Sequence, residues 1–173
     1  MGRSPKPHPL PLAVVDTTIL SRLVALDITK FLPYLFRAIL IPPEVKREAF
    51  KAPHKGKRRL RKIINENAGF FQDCRDADEL TKEYLKADLD EGEAAAIAQA
   101  DATQSVVIVD EEKGYKRANL MAITTVRTGR LLNMLKETGA ISLVKPYHEK
   151  LEANGFYLST EARLQLLDEA GEG

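Results

Sequence analysis

Short apolar runs alternate along this chain with longer stretches in which apolar residues recur every three or four positions. "LAVVD" at 12–16 is a β-branched run that reads as a strand, and "TTILSRLVAL" continues it at helical spacing. "AILI" is a second apolar run, followed by "PPEVKREAF", where Pro43 suits a helix's first turn because an N–H there has no intrahelical partner to lose. "HKGKRRLRKIINENAG" is a strongly basic helix that the pattern closes with a glycine. "FFQDC" makes a third strand, "DADELTKEYLKA" a polar helix, and "LDEGEAAAIAQADA" a helix with acids in its first turn, where they suit the macrodipole. "SVVIV" is the clearest strand of all. "EKGYKRANLM" returns as a helix, "AITTV" is a short strand and "GRLLNMLKETGA" another helix. "KPYHEKLEANG" and "STEARLQLLDEAGE" close the chain as two helices, the second capped by Ser159.

Strands alternating with helices predict right-handed crossovers and a mostly parallel sheet of four to five strands, covered on both faces. Ligands of such sheets bind beyond the carboxyl ends of the strands. Two acids stand at that edge by sequence position, Asp16 after the first strand and Asp110 after "SVVIV", where Glu111 and Glu112 follow directly. Three successive acids repel one another unless water, a cation or a helix N-terminus relieves them. Asp16 alone reads equally well as a helix cap, Glu48 as a solvated charge, and Glu93 as an acid favouring its helix start. Together the four carboxylates have no Cys or His companions at metal-ligand spacing, which selects a hard divalent ion, Mg²⁺ or Mn²⁺, over zinc. One or two such ions can activate water for phosphodiester displacement.

Composition narrows the classes. The chain has 173 residues, 44% hydrophobic and 29% charged, enough for one domain with a sizeable core over 12–173 behind a flexible segment at 1–11. Its net charge of +1 conceals a balance of +10 over residues 1–65 and −9 over the rest. One part therefore suits a polyanion while another concentrates acid. The single cysteine, Cys74, permits no internal disulfide and excludes a cysteine-rich zinc framework. The opening "MGRSPKPHPLPLAVV" is broken by prolines and its apolar part is too short for a signal sequence. No stretch suits a membrane span, so the default is a soluble cytoplasmic protein. Neither "GxxxxGK[ST]" nor "GxGxxG" occurs, which disfavours nucleoside triphosphates. His8, His54 and His148 fall in no ligand spacing and read as surface residues.

"VVDTTILSRL", "ILIPPEVKREAF", "GEAAAIAQA", "VIVDEEKGYKRA", the threonine of "TTVRTGRLLNMLK" and the closing "LEANGFYLS…LLDEAGE" resemble PIN-domain proteins, in order and spacing, from about residue 12 onward. More narrowly they are similar to stand-alone prokaryotic PIN proteins related to VapC-type toxins. That resemblance implies a three-layer α/β/α sandwich and a Mg²⁺- or Mn²⁺-dependent endoribonuclease acting on single-stranded RNA, as a toxin or in RNA processing. It assigns catalytic acids to Asp16, Glu48, Glu93 and Asp110, with Asp16, Glu93 and Asp110 on metal and Thr17, Glu111 and Thr128 as accessories. Arg127 stands where relatives usually carry glycine. A homodimer and an antitoxin partner are further implications.

The basic run "KGKRRLRK" at 55–62 supplies Lys57, Arg58, Arg59 and Arg61 as RNA-binding candidates, against the plainer reading of a solvated helix face. Lys113, Lys116 and Arg117 share a helix face after Asp110 and, with Arg127, are placed to flank a scissile phosphate. Aromatic residues make up only 6%, so an extended base-stacking platform is not expected. The stripe Leu158, Ala162, Leu166, Ala170, widened by Leu164 and Leu167, is expected to pack on the protein's own sheet, with a partner surface as the alternative. Two other readings compete with the nuclease. One is a PIN-fold nucleic-acid-binding or scaffold protein without catalysis. The other is a receiver-like domain, which needs an acidic pair after its first strand, where only Asp16 stands.

Overall fold

The structure is a computed structural model that describes residues 9–51 and 55–173. Five strands, β1 (Leu12–Val15), β2 (Ala38–Ile41), β3 (Phe71–Asp73), β4 (Val106–Ile108) and β5 (Thr125–Val126), form one sheet in the order β3-β2-β1-β4-β5. Every pairing is parallel. The helices are α1 (Thr17–Ala25), α2 (Pro43–Phe50), α3 (Lys55–Glu66), α4 (Glu79–Lys86), α5 (Glu91–Thr103), α6 (Glu112–Leu120), α7 (Thr128–Glu137), α8 (Lys145–Ala153) and α9 (Thr160–Glu169). A 3-10 helix, Thr29–Tyr34, which the apolar pattern does not reveal, turns the chain around Pro33 before β2.

Period-two alternation divides the sheet between two cores. Ala13, Val15, Ile39, Ile41 and Ile108 point to one face, packed by α1, α3, α7 and α8; Val14, Leu40, Val107 and Val109 point to the other, under α4, α5 and α6. Burial on both faces explains why these strands are continuous apolar runs. The result is a three-layer α/β/α sandwich. Its strand order also differs from the 2-1-3-4-5 order of receiver domains.

Local signals explain most boundaries. Pro43 stands in the first turn of α2, and Ser159 caps α9 by accepting from the Ala162 N–H at 3.1 Å. Gly69, by contrast, does not close α3: the helix ends at Glu66, and Gly69 is outside the left-handed region. The α9 stripe packs mainly on α7 rather than on the sheet. Leu167 enters the core beside the sheet, Leu166 rests on Gly129 of α7, and Leu164 stays exposed. A Cβ at Gly129 would lie 2.5 Å from Leu166 Cδ1, so any larger residue here would displace the Leu166 side chain.

A buried ion cluster ties α2 to α4. Lys82 is 3% exposed and donates to Glu44 at 2.8 Å and Asp76 at 3.1 Å, with Glu79 at 2.9 Å. Burial alone lowers a lysine's proton affinity, but the hydrogen bonds to Glu44, Glu79 and Asp76 outweigh it and the net direction is upward. His148, expected at the surface, is buried at 1% exposed in α8, and neither ring nitrogen has a partner among the described residues. Its proton affinity is lowered, first by burial and then by Arg163, which keeps a partnerless ring neutral. His8 and His54 lie outside the described residues, as do residues 1–8 of the expected N-terminal segment.

Candidate active site

The chain leaves β1 toward β2 on one side, whereas β4 lies on the other. This reversal opens a crevice at the carboxyl ends of β1 and β4. Asp16 follows β1 directly and Asp110 lies two residues beyond β4, so the two acids straddle it.

Asp16 is both a cap and a member of an acidic cluster. Its Oδ1 accepts from the Ile19 N–H at 2.7 Å, the N-cap bond of α1. Burial, the largest effect, together with Asp90 and Asp110 raises its pKa from 3.8 to about 6, against the opposing Ile19 bond and Arg22. Glu48 arrives from the last turn of α2, where the Thr17 hydroxyl donates to its Oε2 at 2.8 Å. Asp90 caps α5 by accepting from the Glu93 N–H at 2.8 Å. A Cβ on Gly92 would lie 3.6 Å from Glu48 Oε2, 3.7 Å from Asp90 Oδ1 and 3.9 Å from Asp16 Cβ, so three acidic side chains converge on the start of α5. A cavity of about 260 Å³ opens there, lined by Asp16, Thr17, Glu48, Asp90 and Glu91.

Glu93 sits deeper. It is 5% exposed, and its Oε1 is buried without a hydrogen-bond partner among the described residues. Burial first, then Asp90, Asp16 and Glu111, raises its pKa from 4.5 to about 7. The α6 backbone reaches this carboxylate only because residue 114 is glycine, since a Cβ there would stand 2.1 Å from Glu93 Oε1.

Asp110 is held from the opposite side. The Thr128 N–H donates to Oδ1 at 2.8 Å and its hydroxyl to Oδ2 at 2.6 Å. Asp110 thus caps α7 from a distant part of the chain, where Arg127, in the N-cap position, makes no side-chain cap bond. Oδ2 also pairs with the Arg22 guanidinium, which stacks over the Phe156 ring at 3.8 Å. The sequence reading missed Arg22 and Asp90. Asp90 is visible as an acid preceding "EGEAAA"; Arg22, one basic residue on an amphipathic helix, carries no signal until α1 and Asp110 are juxtaposed.

The remaining charges of the acidic run are accounted for separately. Glu111 is exposed in the N-cap position of α6, and Glu112 pairs with Arg127 and, at 3.3 Å, with Lys116. Arg127 lies over the Tyr115 ring at 4.1 Å and pairs with Glu112, and it is not among the residues lining the cavity at Asp16, Glu48 and Asp90. Arg117 is committed to Asp88 and the Tyr84 hydroxyl, while Lys113 is exposed. Within the basic helix, Lys57 donates to the Glu48 carbonyl at 2.8 Å, bringing the start of α3 against the end of α2. Arg59 pairs with Asp27 at 2.6 Å, Arg61 donates to the Lys57 carbonyl at 3.3 Å, and Arg58 is exposed.

The donor set is all oxygen, crowded enough that Asp90 raises the proton affinity of both Asp16 and Glu93, and it includes one orphaned carboxylate oxygen. That chemistry fits a hard divalent cation. Among the described residues, however, no three His, Cys, Asp or Glu side chains form a ready-made metal cage. The Ile19 N–H, the Thr17 hydroxyl, Thr128 and Arg22 each already hold a carboxylate oxygen of this set.

A family model described as a PIN domain matches residues 12–172. No curated protein matches the chain. No described helix is long and apolar enough to cross a membrane.

Proposed function

The chain belongs to the PIN-domain family, a family of nuclease folds, and from this we propose that it is a divalent-metal-dependent endoribonuclease that hydrolyses phosphodiester bonds in single-stranded RNA. The observation that carries the reading is the convergence of Asp16, Asp90 and Glu48 on Gly92, beside the orphaned Oε1 of buried Glu93, at the switch point of the sheet. Carboxylates packed this closely destabilise one another unless a cation or protons neutralise them. Bound Mg²⁺ or Mn²⁺ supplies water activation and charge neutralisation at the phosphodiester. Asp16, Glu93 and Asp110 would hold it, with Asp90 and Glu48 beside them.

The protein's own groups have separable tasks. Thr128 orients Asp110 through two hydrogen bonds, and Thr17 orients Glu48. Glu93, with a pKa of about 7, carries a proton or a charge near neutral pH according to what lies beside it. Arg22 neutralises Asp110 and is close enough to the cluster to depress the proton affinity of Asp16. The exposed cations of α3, Arg58 and Arg59 foremost, favour a polyanionic strand through nonspecific charge.

Incubation with labelled single-stranded RNA, in Mn²⁺, in Mg²⁺ and in EDTA, tests this reading. Cleavage should require the divalent ion and disappear in Asp16→Asn and Asp110→Asn, which keep shape but lose charge. RNA binding without cleavage under any ion would favour a scaffold that retains the fold. The toxin role, the homodimer and an antitoxin partner belong to the same proposal; light scattering distinguishes a dimer from the 19.3 kDa monomer.

A further inference from the structure

Beside Asp110, on the side away from the acid cluster, a groove of about 470 Å³ runs between the start of α7 and the Phe156–Leu158 segment that leads into α9. Its size falls within the roughly 300–1,000 Å³ of pockets that hold small organic ligands. Composition gave no expectation of a stacking surface, yet Tyr115, Phe156 and Tyr157 all line this one groove. Two of those rings already lie beneath cations: Arg127 covers Tyr115 at 4.1 Å and Arg22 covers Phe156 at 3.8 Å. Tyr157 carries no such cover and is 77% exposed. At that exposure its ring face is accessible to a ligand entering the groove.

The rim is cationic. Arg127 and Arg130 both line the groove. Their partners, Glu112 and Glu137, are more than half exposed, as is much of each arginine side chain. Exposed ion pairs of this kind contribute little stability, so either guanidinium can exchange its carboxylate for a phosphate at small cost. Aromatic face, flanking guanidinium groups and direct continuity with Asp110 together match one ligand chemistry, a nucleotide whose base stacks while its phosphates pair.

We propose that this groove is a nucleobase subsite, in which the base of the nucleotide next to the scissile phosphate stacks on Tyr157 while Arg127 and Arg130 take the adjoining phosphates. The proposal rests on the nuclease reading above and assigns the strand a path across α7 toward α9. Stacking tolerates any base, so the subsite positions the strand and does not select a sequence.

The test is fluorescence anisotropy of a labelled single-stranded oligouridine in EDTA, which separates binding from cleavage, repeated across a salt series. Tyr157→Ala should weaken binding roughly fivefold to a hundredfold with an unchanged salt slope, and Tyr157→Phe should restore it. Arg130→Ala should instead flatten the log–log salt slope by about one at most. Tyr34→Ala, an exposed tyrosine on the 3-10 helix outside this groove, should bind as wild type does. Wild-type binding that survives both Tyr157→Ala and Arg130→Ala would overturn the subsite and leave the nuclease reading standing. If the wild-type chain neither binds nor cleaves RNA, the nuclease reading fails and the subsite falls with it.

Discussion

Glu93→Gln should stabilise this protein in metal-free buffer, and the gain should depend on pH. In the folded chain the carboxyl is pushed from 4.5 to about 7, first by burial and then by Asp90, Asp16 and Glu111. A carboxyl whose folded pKa is raised binds its proton more tightly in the native state than in the unfolded one. Its linkage therefore runs opposite to that of a salt-bridged acid: native stability falls as pH rises from about 4.5 to about 7, then levels off. At about 1.4 kcal/mol per tenfold change in proton affinity, the ionised side chain costs the fold up to about 3 kcal/mol above neutral pH. Glutamine keeps the shape without the charge, so the variant should gain up to that amount at pH 8 and almost nothing near pH 4.5. For a chain of this length the gain corresponds to roughly 2–4 °C in Tm per kcal/mol. Urea denaturation in EDTA at pH 5, 6, 7 and 8 measures it directly. Saturating Mn²⁺ should then favour the wild type, because a ligand that binds only the native state at a hundred times its Kd adds about 2.7 kcal/mol. A variant that is less stable than wild type at pH 8 in EDTA, or equally shifted at pH 5 and pH 8, would show that Glu93 is not a strained, ionised acid.

Three further outcomes follow from separate features. Asp16→Asn should show the same sign over a lower window, from about 3.8 to about 6, because asparagine still caps α1; the double variant with Glu93→Gln should gain less than the sum, since the Asp16 charge is part of what raises the proton affinity of Glu93. Lys82→Met should lower stability by about 3–5 kcal/mol by leaving Glu44 buried without its counter-charge, and adding Glu44→Gln should recover much of the loss in thermal melts; equal losses in single and double variants would dismiss the buried pair. Arg22→Gln should cost about 1.5–3 kcal/mol without metal, through the lost charge-assisted bond to Asp110, while tightening Mn²⁺ binding measured by calorimetry; unchanged affinity would mean that Arg22 does not compete for Asp110.

Much of the architecture is legible in local pattern, because its causes are local. β-branched runs such as "LAVV" and "SVVIV" must be buried, Pro43 and Ser159 start helices through their own backbone chemistry, and alternation of the two element types leaves a parallel sheet as the economical solution. Asp16 and Asp110 could be found because strand ends are recognisable and the chemistry of such sheets lies beyond them. What the sequence could not decide are facts of juxtaposition. Arg22 meets Asp110 across 88 positions, and Gly114 brings the α6 backbone onto Glu93. His148 turns inward on the side of α8 that it shares with buried Val144 and Leu151, against a core that only the fold assembles. Composition counts eleven phenylalanines and tyrosines but cannot say that three of them line one groove. A residue's propensity acts through its immediate neighbours in the chain, whereas a carboxylate's charge state and an aromatic's exposed face are set by whatever the fold places within a few ångströms. Sequence therefore determined the layers and the edge on which the acids stand, and only the tertiary structure decided which of those acids are crowded, which are paired, and what lies open beside them.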